Sequence, residues 1–162
     1  MEREILFRGK RIDNGEWVEG NYSVMLSGRV TIQPIGRIIT YEVLPTTVGQ
    51  FTGLTDKNGK KIFEGDIVRR FNSIGQEVMR YAVKWNVDCC MFVLTCEDTY
   101  LGEYDSDFSV FYGEDLEVIG NIKDNPELMK DDNILSEKLK EFYEKKKAIT
   151  ERLRKDNEDF KK

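Results

Sequence analysis

Apolar and polar residues alternate with a two-residue period through most of the chain, and a helical period replaces it near the end. Between Glu4 and Asn21, Ile5 and Phe7 alternate with polar positions, and Trp17 follows beyond Asp13-Asn14-Gly15. Asn and Gly accept the positive φ of tight turns, so this stretch predicts a β-hairpin. A second hairpin is predicted from Tyr22 to Leu26 and Val30 to Ile32, which flank Ser27-Gly28. Pro34 and Gly36 break the run, and Ile38, Ile39 and Tyr41 predict a short strand that ends near Pro45.

Asp56-Lys57-Asn58-Gly59 reads as a further hairpin turn. A calcium loop beginning at Asp56 is the wrong reading, because its sixth-position Gly would fall on Lys61 and its closing Glu on Ile67. From Ile62 onward the pattern is a run of strands: Asp66 to Phe71, Val78 to Trp85, Met91 to Leu94 and, after an interval, Leu116 to Ile122. The alternation of Val83 and Trp85 predicts that at least one Trp is core. The acidic and aromatic stretch from Glu97 to Asp115, with Tyr100, Tyr104, Phe108, Phe111 and Tyr112, reads as a packed excursion between strands. Short, twisted strands of this kind close readily into a small barrel.

After Asn125-Pro126 the period changes. Leu135, Leu139, Phe142, Ile149, Leu153 and Phe160 fall on three- and four-residue steps, with Lys146 and Asp156 in the gaps. That is the a/d stripe of an amphipathic helix over nearly four heptads. Asp132 or Asn133 caps its start, and Glu141–Lys145 and Glu151–Lys155 add i,i+4 pairs of about 0.3 kcal/mol each. The expected architecture is mainly β: a small β-body (a hairpin region over 1–54, a barrel region over 55–129) and a C-terminal helix over 130–162. Such a helix is roughly 39 Å long, longer than the body is expected to cover, so part of the stripe is expected to meet another copy in a homo-oligomer.

Composition narrows the chemistry. The chain has 162 residues and no histidine, which removes Ser-His-Asp and Cys-His nucleophiles, zincin motifs and imidazole bases together. Cys89, Cys90 and Cys96 lack C-x-x-C spacing and fall in a segment that reads as strand, where neighbouring side chains point apart; ordinary buried or half-buried thiols are expected. No cofactor or metal is expected. No apolar run approaches the roughly 18 residues that cross a bilayer, and Met1-Glu2-Arg3-Glu4 opens no secretory signal, so a cytoplasmic location without membrane contact is expected. The net charge of −5 is uneven: eleven basic against nine acidic residues from Lys130 onward leave that stretch near +2 and the remainder near −7.

Three stretches carry a resemblance. They are Phe7-Arg8-Gly9-Lys10 with Gly15, Trp17-Val18 and Gly20; Thr47-Val48-Gly49-Gln50-Phe51-Thr52-Gly53-Leu54 through Asp56-Lys57-Asn58-Gly59-Lys60 to Ile62-Phe63-Glu64-Gly65-Asp66-Ile67-Val68; and Glu117-Val118-Ile119-Gly120-Asn121-Ile122 with Asn125-Pro126-Glu127-Leu128. In this order they resemble the YopX family of phage and prophage proteins over about residues 3–129. The resemblance implies a phage or prophage gene in a bacterial, Gram-positive host. It also implies an SH3-like barrel in the C-terminal part of the body, and it brings no catalytic residue to carry over.

The residues themselves offer few candidate sites. Gln50 and Thr52 flank Phe51 and are placed to hydrogen-bond loop backbone, either as a brace or as part of a ligand groove. Glu64 and Asp66 flank Gly65, as a carboxylate pair or as ordinary turn chemistry. Gly49, Gly53, Gly59, Gly65 and Gly120 read as positions of positive φ or close approach. A nucleic-acid surface would use Arg8, Lys10, Arg11, Lys60, Lys61, Arg69 and Arg70, with Trp17, Tyr81 or Trp85 as stacking platforms; the acidity of the body weighs against it. The leading expectation is a non-catalytic binding protein that self-associates and contacts a phage or host macromolecule. A nucleic-acid-binding factor is the alternative, and an enzyme comes third.

Overall fold

Turn chemistry sets the first sheet. In the computed structural model, which describes residues 4–71, 74–98, 102–107 and 116–129, β1 (Phe7–Lys10) and β2 (Trp17–Val24) pair around Asp13-Asn14-Gly15. Phe7 stands opposite Gly20 and Lys10 opposite Trp17. The second predicted hairpin is also present: Tyr22 faces Ile32 and Val24 faces Val30 of β3 (Val30–Gln33). β4 (Tyr41–Glu42), β5 (Gly49–Thr55) and β6 (Lys61–Phe63) complete a six-stranded sheet in the order β4-β3-β2-β1-β5-β6. The turn at Asp56 to Gly59 joins β5 to β6.

Ile38 and Ile39 depart from the sequence expectation. The strand begins only at Tyr41, and both isoleucines are exposed in the segment before it. The register of Thr31 with Glu42 and Ile32 with Tyr41, continued by two residues, would set Ile39 against Pro34. Proline has no N–H to give to a ladder, so pairing stops there.

The second sheet has five strands: β7 (Asp66–Phe71), β8 (Glu77–Asn86), β9 (Met91–Asp98), β10 (Gly102–Asp107) and β11 (Leu116–Asn121). Their order is β10-β9-β8-β7-β11, and every pair is antiparallel. β10 corrects the reading of an excursion, since it pairs with β9 from Gly102–Asp98 to Asp107–Val93. Apart from Tyr104 its residues are poor strand formers, and the ladder offered by β9 outweighs that propensity. Phe108, Phe111 and Tyr112 lie outside the described residues, as does the rest of that stretch from 108 to 115.

Two further expectations change. Cys89 and Cys90 are not on a strand; they sit exposed in the turn between β8 and β9, where Cys90 takes φ 51°. Only Cys96 is a buried thiol. Trp85 is 47% exposed and packs edge-on against Phe92, with ring centroids 5.0 Å apart. Trp17 is half-buried, so neither Trp is core. The side chain that alternation sends inward is Val83, which is fully buried.

Burial follows the sheets. Val68, Tyr81, Val83, Leu94, Cys96, Leu116 and Val118 form the main core of the second sheet, and Ile62 joins it from β6. Leu6, Phe51 and Phe63 make a second cluster. Val30, Ile32 and Val43 make a third, bordered by Phe7, Val18 and Val48. Each fully buried aliphatic side chain contributes about 1.5–3 kcal/mol of transfer free energy. Among the described residues there is no α-helix, only 3-10 turns at Pro45–Thr47 and Pro126–Met129. Leu135, Leu139, Phe142, Ile149 and Leu153, expected to line a helix, lie outside the described residues.

Candidate functional site

The link from β5 to β7 holds the four side chains singled out as a candidate surface. Gln50 and Thr52 lie on β5, Glu64 in the turn after β6, and Asp66 at the first position of β7. The backbone draws them together, because Glu64 N–H donates to the Gln50 carbonyl at 2.9 Å. This approach requires glycine at 49, where a Cβ would lie 2.3 Å from the Glu64 carbonyl oxygen. The Thr52 hydroxyl donates to the Ile62 carbonyl at 2.9 Å and accepts from Leu54 N–H at 3.2 Å, bracing the β5–β6 hairpin.

Asp66 turns away from solvent and is 1% exposed. One carboxylate oxygen receives the Arg8 guanidinium, and the other accepts the Phe63 N–H at 2.8 Å. Burial raises the Asp66 carboxyl above the usual range, while Arg8 and the Phe63 N–H pull it back only in part. Both oxygens are engaged, so Glu64 and Asp66 do not make the carboxylate pair that acid/base or Mg²⁺ chemistry requires. Among the described residues no cluster of three or more acids, cysteines or histidines is arranged to hold a metal ion.

Arg8 is the centre of a larger joint. Its guanidinium lies 4.9 Å from the Trp17 ring centroid and 4.7 Å from that of Phe63, and its Nε is buried without a hydrogen-bond partner. Trp17 Nε1 donates to Asp124 at 2.7 Å, and Lys10 reaches the other oxygen of the same carboxylate. Those two donors hold the Asp124 carboxyl below its usual range. Lys10, Arg8 and Trp17 belong to the first sheet, whereas Asp66 and Asp124 belong to the second sheet and the segment after it. The cluster therefore joins the sheets.

A second joint was not visible from sequence. Asp56 is buried, and one of its oxygens accepts from Asn58 and Lys60 N–H in its own turn. Its other oxygen accepts from Val118 N–H at 3.0 Å, on β11. Burial pushes its carboxyl up, but the three backbone donors outweigh burial and the net shift is downward. Asp-x-Asn-Gly announces the turn; a bond to a residue 62 positions away leaves no local signal.

The cations of the nucleic-acid reading are largely committed to carboxylates. Arg11 pairs with Asp13, Lys61 with Glu4, and Arg69 with Glu77 and Glu117. Tyr81 is buried and offers no stacking face to solvent.

Comparison with known proteins gives the fold its family. The family model described as YopX protein matches residues 6–130, a span that holds all eleven strands of the described residues. The chain belongs to the YopX protein family. Both sheet joints of this YopX protein, Arg8–Asp66 and Asp56–Val118, fall inside the matched span. Among solved structures, the crystal structure of protein EF1440 from Enterococcus faecalis is similar at 21% identity. The alignment covers 79% of this YopX chain and 99% of that one, with a TM-score of 0.49. Among curated proteins nothing matches. No helix of the described residues is long and apolar enough to cross a membrane.

One surface of the YopX fold escaped the sequence reading. Between Asn21 and Thr40, the apolar residues Tyr22, Val24, Met25, Leu26, Ile35, Ile38 and Ile39 are all exposed. A signal was present, since Leu26 and Ile35 sit in turns and Ile38 and Ile39 in the loop that follows. Turn residues bury poorly, and that mismatch marks the surface.

Proposed function

We propose that this YopX protein is a phage- or prophage-encoded accessory factor of a bacterial cytoplasm that acts by binding a macromolecule. The observation that supports the reading is the exposed apolar surface between Asn21 and Thr40, where Leu26 is fully exposed at a hairpin tip and Ile38 is 98% exposed. Large apolar side chains exposed in number along one stretch of chain, at both ends of β3, support an interaction role, because exposure on this scale goes beyond isolated surface residues. The half-buried Gln50, Thr52 and Glu64 contribute to binding in the same proposal, with Asp66 as the brace behind them.

Two finer elements belong to the reading. The second sheet is an SH3-like barrel, supported by the order β11-β7-β8-β9-β10, in which the last strand returns beside the first. The chain also forms homo-oligomers through the stripe of Leu135, Leu139, Phe142, Ile149 and Leu153, supported by the heptad spacing alone.

Affinity capture from the bacterial host, with wild-type protein and the double variant Leu26→Ser/Ile38→Ser, tests binding. A protein or nucleic acid retained by the wild type and lost from the variant supports it; identical retention sinks it. Light scattering tests the stripe: an oligomer that dissociates in Leu139→Asp supports it, and a wild-type monomer at every concentration rejects it.

A further inference from the structure

We propose that the Cys89 thiol, in the turn between β8 and β9, is a site of reversible modification by small disulfides, and that its neighbour Cys90 does not discharge the adduct.

Burial separates the three thiols. Cys96 is 4% exposed and belongs to the core of the second sheet, whereas Cys89 and Cys90 are both exposed. All three are free, so each carries an S–H, but only the two in the turn are accessible to a solute.

The turn distinguishes those two. Val87 to Cys90 joins β8 to β9 above the ladder pair Asn86–Met91. Asn86 Oδ1 accepts from Asp88 N–H at 2.9 Å and from Cys89 N–H at 3.0 Å, which fixes the backbone that carries Cys89. The Cys90 thiol donates to the Val87 carbonyl at 3.5 Å. An ionised sulfur there would face that oxygen, and the ionised form is the nucleophile in thiol–disulfide exchange. Cys89 Sγ has no such acceptor among the described residues.

The exchange is balanced without a further reagent. Cys89 loses its proton, and the thiolate attacks one sulfur of a disulfide RSSR. The new S–S bond joins Cys89 to RS, the old one breaks, and the departing RS⁻ takes up a proton. The Cys89 sulfur is oxidised and the departing sulfur is reduced.

A second thiol beside a mixed disulfide can attack it and close an internal bond. Here the backbone opposes closure. The Cys89–Cys90 peptide is trans, which sets adjacent Cα atoms about 3.8 Å apart, below the roughly 4.4–6.8 Å that disulfides span. Cys90 also holds φ 51° in a turn closed by the Asn86–Met91 pair. An internal bond would be strained and readily reduced, so the mixed disulfide persists. Charge selects the reagent: exposed Asp88 adjoins Cys89 and the chain carries −5, which favours a cationic disulfide over an anionic one.

Treatment of the full-length protein with cystamine tests the proposal, with intact mass followed over time and the modified residue located by peptide mapping. One cysteamine adduct per chain is expected, at Cys89 and removable by dithiothreitol. Cys90→Ser should react like the wild type, and Cys89→Ser at least about tenfold more slowly. Both substitutions fall in an exposed turn, and an unmodified Cys96 reports that the second sheet is intact. Loss of two hydrogens without an adduct identifies an internal disulfide and overturns the proposal. An adduct at Cys90, two adducts per chain, equal rates in the two serine variants, modification no faster than that of Cys96, or no adduct at all overturns it as well.

Discussion

The Arg8 guanidinium on β1 meets the Asp66 carboxylate at the start of β7, and the two side chains are 10% and 1% exposed. An ion pair so far from water is held by mutual need: each charge is costly without the other. Arg8→Met is expected to destabilise the protein by about 3–5 kcal/mol, because it leaves Asp66 without its cation. The double variant Arg8→Met/Asp66→Leu is expected to be more stable than Arg8→Met alone. Denaturant unfolding of the three variants checks this; costs that simply add would show that the two residues do not act as a pair.

Acid titration of stability separates the two buried aspartates. Asp56 has a depressed pKa, so its contribution is present above the ordinary carboxylate range and is lost as pH falls through its lowered value. Asp66 has a raised pKa, so its contribution is full below the ordinary carboxylate range and is lost as pH rises through its raised value. Between about pH 7 and about pH 3, Asp56→Asn is expected to flatten the loss of stability on acidification, and Asp66→Asn to steepen it. Equal slopes in both variants would contradict the assignment of opposite environments.

Gly49→Ala tests the close approach of β5 to the turn after β6. A methyl there would meet the Glu64 carbonyl oxygen at 2.3 Å, and backbone cannot yield as a side-chain end can. The expected cost is about 1–3 kcal/mol or more, read by thermal unfolding. A melting temperature equal to that of the wild type would place Glu64 elsewhere.

Most of the fold is legible where local chemistry decides it. Asp13-Asn14-Gly15, Ser27-Gly28 and Asp56 to Gly59 announce three hairpins, and all three are present. β10 is illegible because Gly102 to Asp107, Tyr104 apart, consists of weak strand formers and depends on the edge of β9. The candidate site is less legible still. Asp66 reads as one of a carboxylate pair until Arg8, 58 positions earlier in the chain, is found against it. Cys89 and Cys90 read as strand because nothing local reveals that Cys90 adopts a left-handed backbone. The exposed isoleucines of the loop before β4 look like core residues in a sequence, since burial is a property of neighbours.

The alternative of nucleic-acid binding makes a plain prediction of its own. Lys10, Arg11, Lys61 and Arg69 end on carboxylates of their own chain, so most of the cations this reading named are already paired and would have to give up a carboxylate to meet a phosphate backbone. Affinity for single- or double-stranded DNA or RNA is expected to be negligible, with no slope in log K against log salt. A slope corresponding to several phosphates would reverse this ordering.

The most direct measurement pairs stability with partner retention in Leu26→Ser/Ile38→Ser. Both residues are fully or almost fully exposed, so the stability of the variant should stay within about 0.5 kcal/mol of the wild type. Its capture of a host macromolecule should be lost. A variant equally stable that captures the same macromolecule as the wild type would contradict the claim that this surface carries the function.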